Sequence, residues 1–253
     1  MNILLFAVIG WCLGAGINYL ADTLPWKRRL SKPFCTNCQE EMTWQNYLLW
    51  PRTCSTCQSR RDWGVFVVEL FFIVTIPIMW LFPPNKLGFW LGLPLVVYFA
   101  LVVVIDLRYK LILHIVSIVG AMLGLFVGIS INGLKSTLLG GVIGFGVMFC
   151  FYKLGELFIR FISRRRGNLD DDVALGFGDV NLSGVLGLMV GFPGVVVSLF
   201  FGALIGGFFS LLYLIFSFLL RKYKPLTALP YGPFLISGAV LVLFFIGLLD
   251  RMF

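Results

Sequence analysis

Apolar residues in this chain gather in long unbroken runs, not in the alternation of strands or the narrow stripe of a soluble helix. A membrane-crossing helix needs about 20 apolar residues. Runs of that kind at roughly 2–21, 65–82, 88–106, 112–131, 137–160, 180–192, 194–220 and 229–249 predict eight transmembrane helices. The sixth is short and rich in glycine, so it is expected to be a partial span or to lie buried among other helices, where irregular segments are tolerated. Residues 22–64 form the one polar stretch long enough for a small domain. The pattern therefore predicts an all-α polytopic membrane protein: a first span at 1–21, a small domain at 22–64, and a membrane domain at 65–253.

Composition reinforces this reading. Of 253 residues, 59% are hydrophobic and 13% charged, where soluble domains carry about 25% charged residues. A soluble globule, a disordered chain and a nucleic-acid binder are excluded on these grounds. The net charge of +8 is then a topology signal. Lys27, Arg28, Arg29, Lys32, Arg52, Arg60 and Arg61 follow the first run, Arg108 and Lys110 the third, Arg164 to Arg166 the fifth, and Arg221, Lys222 and Lys224 the seventh. Lys86, Lys135 and Arg251 are left for the opposite side. The positive-inside rule puts the richer side in the cytoplasm and both termini outside, as an even span count requires. The first run has no basic residue before it and strong positive charge after it, so it is read as a retained span and not a signal peptide. No internal repeat or low-complexity tract is visible.

Cys35, Cys38, Cys54 and Cys57 form a CxxC-x15-CxxC pattern. Two such knuckles offer four thiolates to one tetrahedral ion, and the spacing falls in the zinc range. The reducing cytoplasm disfavours disulfides. A bound zinc ion would let a short polar segment fold without a large core. Four Cys ligands suggest a closed, structural site. A redox CxxC pair or an iron–sulfur cluster is the other reading. Cys12 and Cys150 lie in apolar runs and read as packing residues.

Asp106 ends an uncharged run from Leu93 to Ile105, and Asp179 opens the sixth run within Gly176-Phe-Gly-Asp-Val-Asn-Leu182. Both fall at the predicted cytoplasmic edge of the membrane, where an ionisable group is costly and is a functional candidate. Two carboxyls held together in such a site share a proton, supplying a base to activate water and an acid to protonate a leaving amine. Gly176 and Gly178 would let a substrate backbone come close to Asp179. Alternatively, each Asp caps a helix or pairs with Arg108 or Lys110. A proton-coupled transporter would carry a similar pair.

The order of these features, with Pro230-Tyr-Gly-Pro-Phe234 near the end, resembles the bacterial type IV prepilin peptidases, the GxGD aspartic membrane proteases. Gly14-Ala-Gly-Ile-Asn18 with Leu24-Pro25, Tyr47 to Cys54, Val68-Glu69-Leu70, Ile105-Asp106-Leu107 and Gly176 to Leu182 carry the likeness. Thr23, Leu113-His114 and Asn181 depart from the usual pattern, and Asn181 removes a cation otherwise close to Asp179. The resemblance implies an enzyme of the bacterial cytoplasmic (inner) membrane, with Asp106 and Asp179 catalytic at the cytoplasmic face. Its substrates would be prepilin or pseudopilin precursors, each with a short basic leader ahead of an apolar helix. The N-terminal part resembles the bifunctional form that also methylates the new N-terminus with S-adenosylmethionine. The chain lacks a Walker-type loop and GxGxxG, so no nucleotide-hydrolysis site is expected.

The remaining candidates have plainer readings. His114, the one histidine, either tunes Asp106 or is a hydrogen-bonded structural residue. Glu69 matches a position that the resemblance links to methylation, or is a carboxylate favoured at a helix N-terminus. Asp170 to Asp172 attract a basic leader or balance Arg164 to Arg166. Glycines 140/144 and 202/206 suit close helix packing. The alternative function is a proton-coupled transporter or assembly factor with a zinc-stapled loop, whose ion site would lie nearer the midplane.

Overall fold

A computed structural model describes residues 2–27, 31–84, 86–166, 176–220 and 230–246. Asp170 to Asp172, Arg28, Arg29, Arg221, Lys222, Lys224 and Arg251 lie outside these residues, as do the side chains of Arg164 to Arg166. The described chain is helical: α1 (Asn2–Lys27), α2 (Trp44–Leu48), α3 (Gly64–Leu81), α4 (Gly88–Tyr109), α5 (His114–Arg166), α6 (Phe177–Val190), α7 (Gly194–Leu219) and α8 (Gly232–Val240), the last continuing as wider π-type turns over Leu241–Ile246. No strand occurs among the described residues. Two isolated bridges, Phe34 to Glu41 and Thr53 to Arg60, are the β pairing present.

Among the described residues, five helices are long and apolar enough to cross a membrane: Ile3–Lys27, Gly64–Leu81, Gly88–Tyr109, His114–Phe158 and Gly194–Leu219. Phe177–Val190 and Gly232–Phe245 are apolar but shorter. The long apolar helices, many with exposed Leu, Val and Phe, make this a membrane protein, because water would not tolerate such a surface.

Every predicted apolar run falls on a helix. Two of them, 112–131 and 137–160, fall on α5, which breaks at Gly133 (φ 76°, ψ 162°), a conformation essentially confined to glycine. The neighbours of α5 show that the chain reverses there. Before the break, Gly124 meets Val185 and Gly128 meets the Leu188 carbonyl. After it, Gly140 meets the Gly187 carbonyl and Gly144 the Ser183 carbonyl. Moving away from Gly133 in either direction leads down the same helix, so α5 is a hairpin with α6 packed against both arms. A Cβ at Gly140 would stand 2.3 Å from the Gly187 oxygen, so the backbones touch where side chains would hold them apart. The Ser183 hydroxyl donates to the Gly144 carbonyl at 2.7 Å. The sixth run is short because its helix is enclosed: Val180, Leu182 to Gly187, Met189 and Val190 are buried.

The chain divides into two compact units, Met1–Pro84 with Gly88–Ile105, and Asn85–Leu87 with Asp106–Phe253. In the first, α1 lies on α3 with Gly10 over the Phe72 carbonyl and Gly14 over the Glu69 backbone. Phe72, Ile76 and Ile17 fill the contact. In the second, α6 sits in the α5 hairpin and α8 packs on α7, with Gly202 against Phe234 and Gly238 against the Ser198 carbonyl.

Candidate active site

Asp106 lies in the last turn of α4, which stops when Lys110 enters the left-handed region and its N–H closes onto the Asp106 carbonyl at 2.8 Å. The chain then runs through Ile112 to the start of α5. Asp179 lies in the first turn of α6, where its N–H reaches the Gly176 carbonyl at 3.0 Å. Gly178 brings the two places together: a Cβ there would sit 2.8 Å from the Ile112 Cβ. Its missing side chain thus serves chain packing, while Gly176 is open beside the Asp179 carboxylate. The third contributor is the start of α8. Gly232 N–H donates to Asp106 Oδ2 at 3.0 Å, and Tyr231 lies within electrostatic reach of Asp179.

Asp106 is 4% exposed and Asp179 half-buried. The two carboxyls lie close enough to feel each other's charge. Among the described residues, no cation pairs with either. Two carboxyls that feel each other's charge in a largely buried place can share a proton.

A groove of about 640 Å³ in this unit lies elsewhere. Asn181, Gly184, Val185 and Leu188 form its α6 wall, and His114, Ser117, Leu138 and Phe145 line the α5 side. At about 100° per residue, that face of α6 points away from Asp179. His114 is exposed at the start of α5 and borders the groove.

The cysteine segment belongs to the first unit. Each knuckle is latched alike: Cys35 N–H to the Glu40 carbonyl and Gln39 N–H to the Cys35 carbonyl, Cys54 N–H to the Ser59 carbonyl and Gln58 N–H to the Cys54 carbonyl. Gln39 and Gln58 both take positive φ, 61° and 52°. The segments 34–41 and 53–60 are therefore two copies of one turn, a repeat too short and too varied to see in the letters. All four Sγ atoms lie within 4.8 Å of one another, with Cys35–Cys57 and Cys38–Cys54 at 3.6 Å. Zn–S bonds of about 2.3 Å in a tetrahedron put sulfurs roughly 3.8 Å apart, so the four thiols fit zinc. The Ser59 hydroxyl, 3.0 Å away, helps pull the Cys57 thiol down to about 6, which favours a thiolate ligand. The buried core here is little more than Cys35, Cys54 and Met42.

Sequence reasoning missed how this segment is joined to α1 and α3. Arg52 forms a bidentate pair with Glu69, both contacts 2.9 Å, at side-chain exposures of 6% and 7%. Arg61 pairs with Asp22, lies 3.7 Å over the Tyr47 ring, and Tyr47 donates to Asp22 at 2.7 Å. Asn18 Nδ2 donates to the Val65 carbonyl at 3.0 Å. Glu69 is therefore an ion-pair partner inside the fold and not a free helix-end carboxylate. The hint was present: Asn18, Asp22 and Glu69 are polar residues inside or beside apolar runs.

Residues 93–211, the stretch that carries both aspartates, match the type IV leader peptidase family. No curated protein and no solved structure matches the chain. The matched region spans most of α4, all of α5 and α6 and most of α7, so it includes both aspartates and stops short of the α8 turn.

Proposed function

We propose that this protein is an aspartic endopeptidase of the bacterial inner membrane that removes the leader of type IV prepilin-like precursors at the cytoplasmic face. The observation that carries this reading is the gathering of Asp106 and Asp179, within electrostatic reach and free of cation partners among the described residues, inside the segment that matches the leader peptidase family. One carboxylate takes a proton from water as the water oxygen attacks the scissile carbonyl carbon. The protonated partner donates to the carbonyl oxygen. When the tetrahedral intermediate collapses, one of its hydroxyls returns its proton to the pair as the carbonyl re-forms, the C–N bond breaks, and the amine leaves with a proton from the pair. One water is consumed, and the two carboxyls return to their starting state with one shared proton.

Cys35, Cys38, Cys54 and Cys57 hold a structural zinc ion in this proposal, and the basic leader meets a cytoplasmic surface. Methylation of the new N-terminus with S-adenosylmethionine is the second activity proposed, from the sequence resemblance of the N-terminal part. Purified protein incubated with a precursor and S-adenosylmethionine, with products weighed by mass spectrometry, tests both. Leader loss supports the peptidase and a further methyl gain the methylase. Full cleavage by Asp106→Asn or Asp179→Asn defeats the aspartate pair, and pH-driven solute uptake without cleavage favours the transporter instead.

A further inference from the structure

We infer that the backbone N–H of Gly232 is a positioning group for Asp106, so that the Pro230–Pro233 turn is a third working part of the site. This inference rests on the aspartate-pair reading above. The argument begins with the amides that open α8. The first N–H groups of a helix have no partner within it, and Tyr231 supplies no side-chain cap. Pro233 has no N–H. Phe234 and Leu235 both donate to the Tyr231 carbonyl, at 3.1 and 3.3 Å. Gly232 alone of this turn sends its N–H across the fold, to Asp106 Oδ2 at 3.0 Å.

Glycine is required here for space. A Cβ at position 232 would stand 2.7 Å from Asp106 Oδ2 and 3.3 Å from its Cγ. Any side chain would push the carboxyl out of place. The donor is also rigidly mounted, because Gly238 of the same helix meets the Ser198 carbonyl of α7 at 2.1 Å from where its own Cβ would be. With Oδ2 committed to this bond, Oδ1 is the oxygen left to share a proton or to face water. Hydrogen bonds to a charged group are the stronger kind and set geometry as well as energy.

The test is a steady-state comparison of leader cleavage by the full-length protein in lipid nanodiscs. Gly232→Ala should lower kcat roughly ten- to a hundredfold, the loss expected for one bond to a charged group, with KM within about twofold of wild type. A second protein, with glycolic acid placed at position 232 by suppressor-tRNA translation, replaces the N–H by an ester oxygen and adds no atoms that clash. It should show the same kcat loss, and it decides the matter if Gly232→Ala does not fold. Unchanged kcat in the ester protein overturns the inference. So does a rise in KM at constant kcat, which would make the turn a substrate contact. Asp106→Asn is measured alongside: if it cleaves normally, the aspartate pair itself has failed, whereas an inactive Asp106→Asn with a fully active ester protein defeats the Gly232 inference alone.

Discussion

The two units treat buried charge in opposite ways. In the first, each buried acid has a cation in contact: Glu69 with Arg52, Asp22 with Arg61. In the second, Asp106 receives one backbone N–H and Asp179 sits beside it, with no cation on either among the described residues. A paired buried charge holds structure in place, since removing one partner strands the other. An unpaired one is retained at a cost, and chemistry is the usual reason for tolerating it. The difference separates the two sets of acids more sharply than burial does, because Asp22, Glu69 and Asp106 are all buried.

The largest expected effect is on the zinc-fitting segment. Structural zinc contributes on the order of 10 kcal/mol in small domains, and the core around the four cysteines is tiny. Chelation should release about one zinc per chain and open the 31–62 segment to trypsin, while the α5–α8 region stays resistant. A metal-free protein with an intact, protease-resistant segment would show that the knuckles fold unaided. Next come Asp106 and Asp179. Asp106→Asn or Asp179→Asn should lower leader cleavage by a factor of about 10²–10⁴ or more, with zinc content unchanged and no loss of stability. A marked loss of stability would place these acids with the scaffold and erase the contrast.

The paired acids should behave in reverse. Glu69→Ala should cost about 3–5 kcal/mol of stability by leaving Arg52 buried and alone, read by denaturant unfolding in micelles. The double variant Arg52→Met with Glu69→Leu should recover most of that loss. If the single and double variants are equally unstable, Glu69 does something other than balance Arg52. The smallest effect belongs to the exposed pair Lys32–Glu41, whose side chains are 74% and 60% exposed. Lys32→Gln should change stability by less than about 1 kcal/mol.

The apolar runs made the helices legible, because lipid imposes length and hydropathy on each one. Cys35, Cys38, Cys54 and Cys57 were legible because a metal site imposes spacing. The geometry of Asp106 with Asp179 was half legible. Charge placement gives them an expected depth, but the closeness of Ile112 to Gly178 depends on packing between distant parts of the chain. Gly232 was hidden for the same reason: its role belongs to a backbone N–H, which every residue but proline has. Arg52 and Arg61 were read as topological charges on a loop, yet both are held in ion pairs, Arg52 buried and Arg61 partly so. A count of Lys and Arg reports which side of the membrane a segment occupies and is silent on which of them face water. The reversal at Gly133 was legible as the gap between the runs at 112–131 and 137–160, where Lys135 falls; what the pattern did not give is that one glycine makes the turn.

That reversal has a consequence for how the protein is made. The helix bearing Asp179 is short, glycine-rich and walled in by both arms of α5, so it depends on the hairpin for its place. During biogenesis the hairpin emerges from the ribosome first and must close around its guest afterwards. Until α6 is in place, Asp106 and Asp179 are not held beside each other, so their pairing is among the last things the fold makes.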